Sequence, residues 1–174
     1  MFPAVRLTGC FPELFGFVLL DPARLDDAVG GDAEGQDLLD LFTTSNVGDD
    51  VARDGIAVPL LGVGPGYYTV TVRHASDPSP RPEPQITSAG WVLGTETGAL
   101  VLTGAGYLCD WKRDDPHHRP VAVPPGWYSV EVRGYPLVHD DDDGAYELVL
   151  TPAATRPPFQ ARLDQGFALF DPHT

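Results

Sequence analysis

The densest run of reactive side chains is Cys109-Asp110-Trp111-Lys112-Arg113-Asp114-Asp115-Pro116-His117-His118. A thiol, several carboxylates and two imidazoles are the materials of a zinc site, or of a nucleophile with its base. Either chemistry needs partners converging from separate strands, and adjacent histidines in a loop often point apart. The run lies between two predicted strands and ahead of a proline turn, where a solvated loop belongs. His117 and His118 are the metal candidates, in a metal-dependent hydrolase that would also draw on Asp110 and Cys109. The solvated loop is the favoured reading, so no catalytic residue is assigned and no cofactor is expected. Phosphate-loop, Gly-x-Ser-x-Gly, Cys-x-x-Cys and His-Glu-x-x-His patterns are absent from the sequence.

Asp140, Asp141, Asp142 and Asp143 precede Gly144. Hard cations take oxygen ligands, but consecutive residues do not present alternate ligands as a calcium loop does. The run reads instead as an acidic hairpin tip whose potential suits a basic partner. Tyr67 and Trp127 fall on otherwise polar strand faces, where they either cover a sheet edge or meet a ligand or partner. With Asp140–Asp143 they are the candidate partner-binding residues.

The elements that must hold these groups are β-strands. Gly 19 and Pro 18 exceed a fifth of the 174 residues, which suits short strands joined by many turns. Pro65-Gly66-Tyr67-Tyr68-Thr69-Val70-Thr71-Val72-Arg73 is repeated as Pro125-Gly126-Trp127-Tyr128-Ser129-Val130-Glu131-Val132-Arg133. Gly16–Asp21 and Gly98–Thr103 share a looser apolar pattern upstream of each copy. This order, given twice, predicts an internal duplication. Pro-Gly predicts a type II turn, and the alternation that follows predicts one buried face and one wet face, hence antiparallel pairing. The domain reading is a first β repeat over 1–76 with a helical insert, a Pro-rich spacer over 77–89, and a second repeat with a C-terminal strand over 90–174; the two repeats could pack as one domain. The spacing of Leu38, Leu39 and Phe42 predicts a helix, and a second short one starts at Pro22 with Asp21 as its cap. Residues 91–93 and 99–102 are expected to form a hairpin, and Phe159–Phe170 a last strand.

Twenty-five acidic residues against 11 basic ones leave a net charge of −14. Phosphate backbones and anionic lipid repel such a chain, so no nucleic acid and no membrane is expected as a partner. The start lacks a basic region followed by an apolar run, and no apolar stretch reaches the roughly 20 residues of a membrane span. Cys10 and Cys109 read as two buried free thiols, consistent with a cytoplasmic, reducing location.

Residues 98–150 resemble the competence protein J group, which are nuclease inhibitors. The resemblance rests on a strand from Gly98, a loop with Asp110-Trp111, Val-Pro-Pro-Gly-Trp-Tyr at 123–128, and a closing strand at 146–150. It implies a β-sandwich and a protein-inhibitor role. No residue role carries over, because this chain has two copies and longer inserts. The expected fold is therefore mainly β, an antiparallel sandwich from two related units with one or two short helices. The expected function is that of a non-enzymatic acidic interaction protein, of inhibitor or immunity type, binding a basic protein. The alternative is a small-ligand-binding β domain with Trp127 and Tyr67 beside a groove between the units.

Overall fold

A computed structural model describes residues 1–79, 81, 83–136 and 144–170. Among these, β1 (Val5–Cys10), β4 (Tyr68–His74), β9 (Gly144–Ala153), β8 (Gly126–Pro136) and β5 (Ile86–Thr95) form one sheet in that order. The other sheet runs β3 (Ala57–Leu61), β2 (Gly16–Leu20), β6 (Ala99–Gly104) and β7 (Arg119–Ala122). The inward residues of both sheets, Phe17, Leu19, Leu60 and Leu102 from one and Val70, Trp91, Val130 and Leu148 from the other, pack into one core.

A second core lies on the far side of the four-stranded sheet. There α1 (Pro22–Val29), α2 (Leu38–Thr44) and α3 (Val47–Arg53) cover Val18, Leu20 and Ala57. This explains why β2 reads as an unbroken apolar run: Phe17 and Leu19 face the first core, Val18 and Leu20 the second. Asp21 caps α1 as expected, accepting from Ala23 N at 2.9 Å. The expected helix near Leu38 is α2, and α3 is a third helix beyond the one or two expected. Its seven residues carry little apolar periodicity, and burial of Val51 and Ala52 holds it in place.

Strand pairing is mirrored about the β2–β6 contact. β1 pairs with β4 as β5 pairs with β8, and β3 pairs with β2 as β7 pairs with β6, all antiparallel. β9 is wedged between β4 and β8, antiparallel to β8 and therefore parallel to β4. That parallel pair departs from the all-antiparallel expectation. Period-two alternation reports which face is buried and carries no information on neighbour direction. The turn glycines Gly66 and Gly126 do have positive φ, 148° and 146°. These lie far from the roughly 80° of a type II turn. Each following tyrosine instead bonds back to the turn, Tyr68 Oη to Gly64 O at 2.8 Å and Tyr128 Oη to Pro124 O at 2.5 Å.

Two strand expectations are overturned. Residues 91–93 and 99–102 belong to different sheets, β5 and β6, so no hairpin joins them. The chain instead crosses between sheets at a corner held by buried Asp21, which accepts from Thr95 Oγ1 at 2.6 Å and Thr97 Oγ1 at 3.0 Å. The segment from Phe159 to Phe170 is not a strand. It runs as irregular chain closing the core, with Phe167 fully buried and its carbonyl bonded by Tyr146 Oη. Pro157-Pro158 and the absence of alternation deny it a ladder. Cys109, expected buried, is exposed, while Cys10 is buried, and neither is in a disulfide. No helix among the described residues is long and apolar enough to cross a membrane.

Candidate functional site

The two unequal inserts dock on each other. Trp111 of the 109–118 loop is fully buried in the second core, and the loop joins the helical insert through Gly35 N to Trp111 O at 2.7 Å and Trp111 N to Gln36 O at 3.0 Å. Arg113 adds an ion pair with Asp26 at 3.2 Å and a backbone bond to Glu34 at 3.0 Å. The joined surface is strongly acidic. Residues 26–54 carry nine carboxylates against Arg53, and the loop adds Asp110, Asp114 and Asp115 against Lys112 and Arg113. Asp27, Asp32, Asp37, Asp40, Asp49 and Asp110 are exposed. They point to water because most apolar residues of these short elements, Leu25, Leu38, Leu39, Phe42 and Val51 among them, are spent on the core beneath.

The loop histidines have separate roles. His118 turns inward, stacks on Trp111 with ring centroids 4.6 Å apart, meets Thr103 Oγ1 at 2.8 Å and donates from Nε2 to Lys112 O at 2.8 Å. With both ring nitrogens engaged it braces the loop and has none left for a metal. His117 turns outward, stacks on Tyr107 at 4.4 Å and lies 2.8 Å from Asp115 Oδ1. Burial alone would raise the Asp115 carboxyl, but the bonds from the His117 N–H and ring, and the charges of His118 and His117, hold it below its ordinary value. Cys109 is no activated thiol: burial, then the Asp37 carboxylate, push it up. No group of three or more metal-ligating side chains forms among the described residues.

A second feature was missed by sequence reading. Between β1 and β2 a short turn places Leu14 at φ 54° and Phe15 at φ 61°, both left-handed and neither a glycine. Such backbone costs about 1–2 kcal/mol per residue, and strain of this kind concentrates at functional sites. The turn presents apolar surface to solvent: Leu14, Phe15 and Tyr67 are 55%, 59% and 58% exposed, beside half-exposed Phe11 and Leu61. Phe11 and Tyr67 are in ring contact at 5.4 Å, Val63 N bonds Phe15 O at 3.0 Å, and Leu61 pairs with Gly16. Leu61 also lines the apolar cleft beneath α2 and α3, with Phe42, Asp49 and Leu108. The apolar turn and the acidic inserts are therefore contiguous. The only sequence signal was the pair Leu14-Phe15 before a glycine-led strand, which any core strand could show.

Of the candidate partner residues, Tyr67 lies in this apolar cluster. Trp127 is half-buried, packed over Gly94 and Gly55 and beneath Arg24 Cζ, 5.2 Å from its ring. A Cβ at Gly94 would sit 2.5 Å from that ring, so this tryptophan needs its glycine. Asp140, Asp141, Asp142 and Asp143 lie outside the described residues.

No family model matches the chain, and no curated protein matches it. Among solved structures it is similar to one titled Crocagin biosynthetic gene J, with 18% identity over 84% of this chain and 94% of that one and a TM-score of 0.44. It is also similar to ComJ from Bacillus subtilis, titled an inhibitor of the DNA degrading activity of NucA. There the identity is 9%, the coverage 87% of this chain and 96% of that one, and the TM-score 0.46. Both are weak resemblances of overall arrangement.

Proposed function

We propose that this is a non-enzymatic interaction protein of inhibitor or immunity type, which binds a basic protein partner. The observation that carries the reading is the docking of both inserts into one acidic face that runs on into the strained apolar turn. Tight interfaces pair a desolvated aromatic and aliphatic centre with a polar rim that excludes water. Leu14, Phe15 and Tyr67 supply the centre and the insert carboxylates the rim, whose field steers a cationic partner. Asp140–Asp143 would extend that field, while Trp127 serves as scaffold under Arg24. The mirrored pairing of β1–β4 with β5–β8, and of β2–β3 with β6–β7, supports reading 1–76 and 90–174 as duplicated halves closed into one β-sandwich. The location in this reading is cytoplasmic.

Calorimetric titration against a panel of purified strongly basic proteins, nucleases among them, tests it. A partner is expected whose affinity falls steeply with salt and is lost when Asp37, Asp40 and Asp49 are replaced by lysine. Binding indifferent to salt and to these replacements, or no binding across the panel, overturns it. The apolar turn makes a separate prediction. Leu14→Gly and Phe15→Gly remove left-handed strain, so each is expected to raise unfolding stability by roughly 1 kcal/mol. Each is also expected to weaken partner binding about tenfold or more, as loss of an interface anchor does. Stability that falls in thermal melts of both variants would show the turn to be unstrained.

A further inference from the structure

Arg6 of β1, Arg73 of β4 and Arg81 of the Pro-rich segment gather on the outer face of the five-stranded sheet, opposite the inserts. This face was expected to be wet. Instead Arg73 and Glu147 are 4% and 1% exposed, because the Pro-rich segment after β4 lies over them. Ser79 of that segment donates to Glu147 at 2.9 and 3.1 Å, and Tyr135 Oη donates at 2.8 Å. The short donors to the carboxylate are thus hydroxyls, and Arg73 reaches it only at 3.4 Å through one terminal nitrogen. Its other terminal nitrogen is taken by Asp77 O at 2.5 Å. Among the described residues, Arg73 Nε is a buried side-chain nitrogen with no hydrogen-bond partner.

The Arg73 side chain that carries this donor borders a groove of about 660 Å³, which Arg6, Thr71, Asp77, Arg81 and Glu147 also line. Register explains the convergence: Arg6 stands opposite Thr71, and Thr71 opposite Glu147, so one row of the sheet leads from Arg6 to the buried carboxylate. Arg81 reaches the same region from the Pro-rich segment, its guanidinium 5.9 Å from the Tyr135 ring. Glu147 is matched by Arg73, which leaves Arg6 and Arg81 against Asp77. The groove is a cationic site on a molecule of net charge −14.

We propose that this groove binds a small oxyanion, a carboxylate or a phosphate. Arg73 Nε–H, buried and preorganised, is one donor, and the flexible guanidiniums of Arg6 and Arg81 close on the same group. The volume falls within the range of small-molecule sites. The inference is independent of the partner contact, whose insert carboxylates lie across the core beside the other sheet.

NMR titration of the full chain with inorganic phosphate and, separately, with succinate tests it, chloride serving as the ionic-strength control. Saturable shifts of the Arg73 and Arg81 side-chain signals are expected with at least one of the two. Saturation by phosphate alone assigns a phosphoryl ligand, and saturation by succinate alone a carboxylate. Arg6→Gln with Arg81→Gln, both on side chains outside the core, is expected to weaken binding at least tenfold while leaving the melting temperature unchanged. No saturable binding of either anion by about 10 mM, or binding unaffected by the double variant, overturns the site.

Discussion

Replacing Trp111 with alanine is expected to cost about 3–5 kcal/mol of unfolding free energy. The indole is fully buried, sits at the centre of the core between the four-stranded sheet and the helical insert, and carries His118 stacked on its face. Its own backbone makes both hydrogen bonds that join the loop to the insert at Gly35 and Gln36. Truncation therefore empties a large cavity and loosens the joint that assembles the acidic face. α2 and α3, at seven residues each, are too short to persist without that packing. In denaturant titration the variant should lose stability, and amides of residues 35–54 should exchange faster than those of β8 and β9. Trp111→Phe should recover most of the loss. A cost under about 1 kcal/mol, in the range of a surface substitution, would remove Trp111 from this role.

Glu147→Ala is expected to be as damaging, by a different mechanism. It strands Arg73 at 4% exposure and takes the acceptor from Tyr135 and Ser79 at once. Breaking a buried ion pair from one side typically costs about 3–5 kcal/mol, because the surviving charge stays uncompensated. Removing both charges, as Arg73→Met with Glu147→Leu, should cost much less, since an apolar pair of similar volume avoids the desolvation penalty. The double-mutant cycle measures this coupling. A double variant as unstable as the single one would show that the hydroxyl network rather than the ion pair holds the segment over the sheet. Burial, and then Glu147 itself, also raises the Tyr135 phenol. Loss of Glu147 should lower it, which ultraviolet titration can follow.

Strands β4 and β8 were legible because each carries its own turn, its own alternation and the same nine-residue pattern. The Asp21 cap and the Leu38–Leu39–Phe42 face were legible for the same reason, since capping and helical spacing act within a few residues. His117 and His118 were expected to diverge, and they do, but which one enters the core depends on Trp111 and Thr103.

What escaped the sequence reading is set by contacts between distant segments. A hairpin was expected where the chain changes sheets, because strands beside a glycine-rich turn look alike whether they pair or part. The polar face of β4 reads as wet by alternation, yet a segment with its own prolines buries Arg73 there. Glu147 of β9, which pairs with neither copy of the repeat by sequence, arrives through parallel register with Thr71. The left-handed turn at Leu14 and Phe15 is unreadable from residue type, since neither favours that backbone and only the surrounding fold imposes it.

The sequence by itself determined the β class, the repeated strands, the first two helices and the acidity, all properties of composition and short-range periodicity. The tertiary structure alone decided that the two acidic inserts share one face, that the apolar turn borders it, and that the sheet's opposite face buries an ion-paired arginine whose Nε has no hydrogen-bond partner. Those features arise from docking between residues 35 and 111, 15 and 63, and 73 and 147. Pairings across such distances in sequence leave no trace in local pattern, because what selects them is burial of surface that many alternative arrangements could bury equally well.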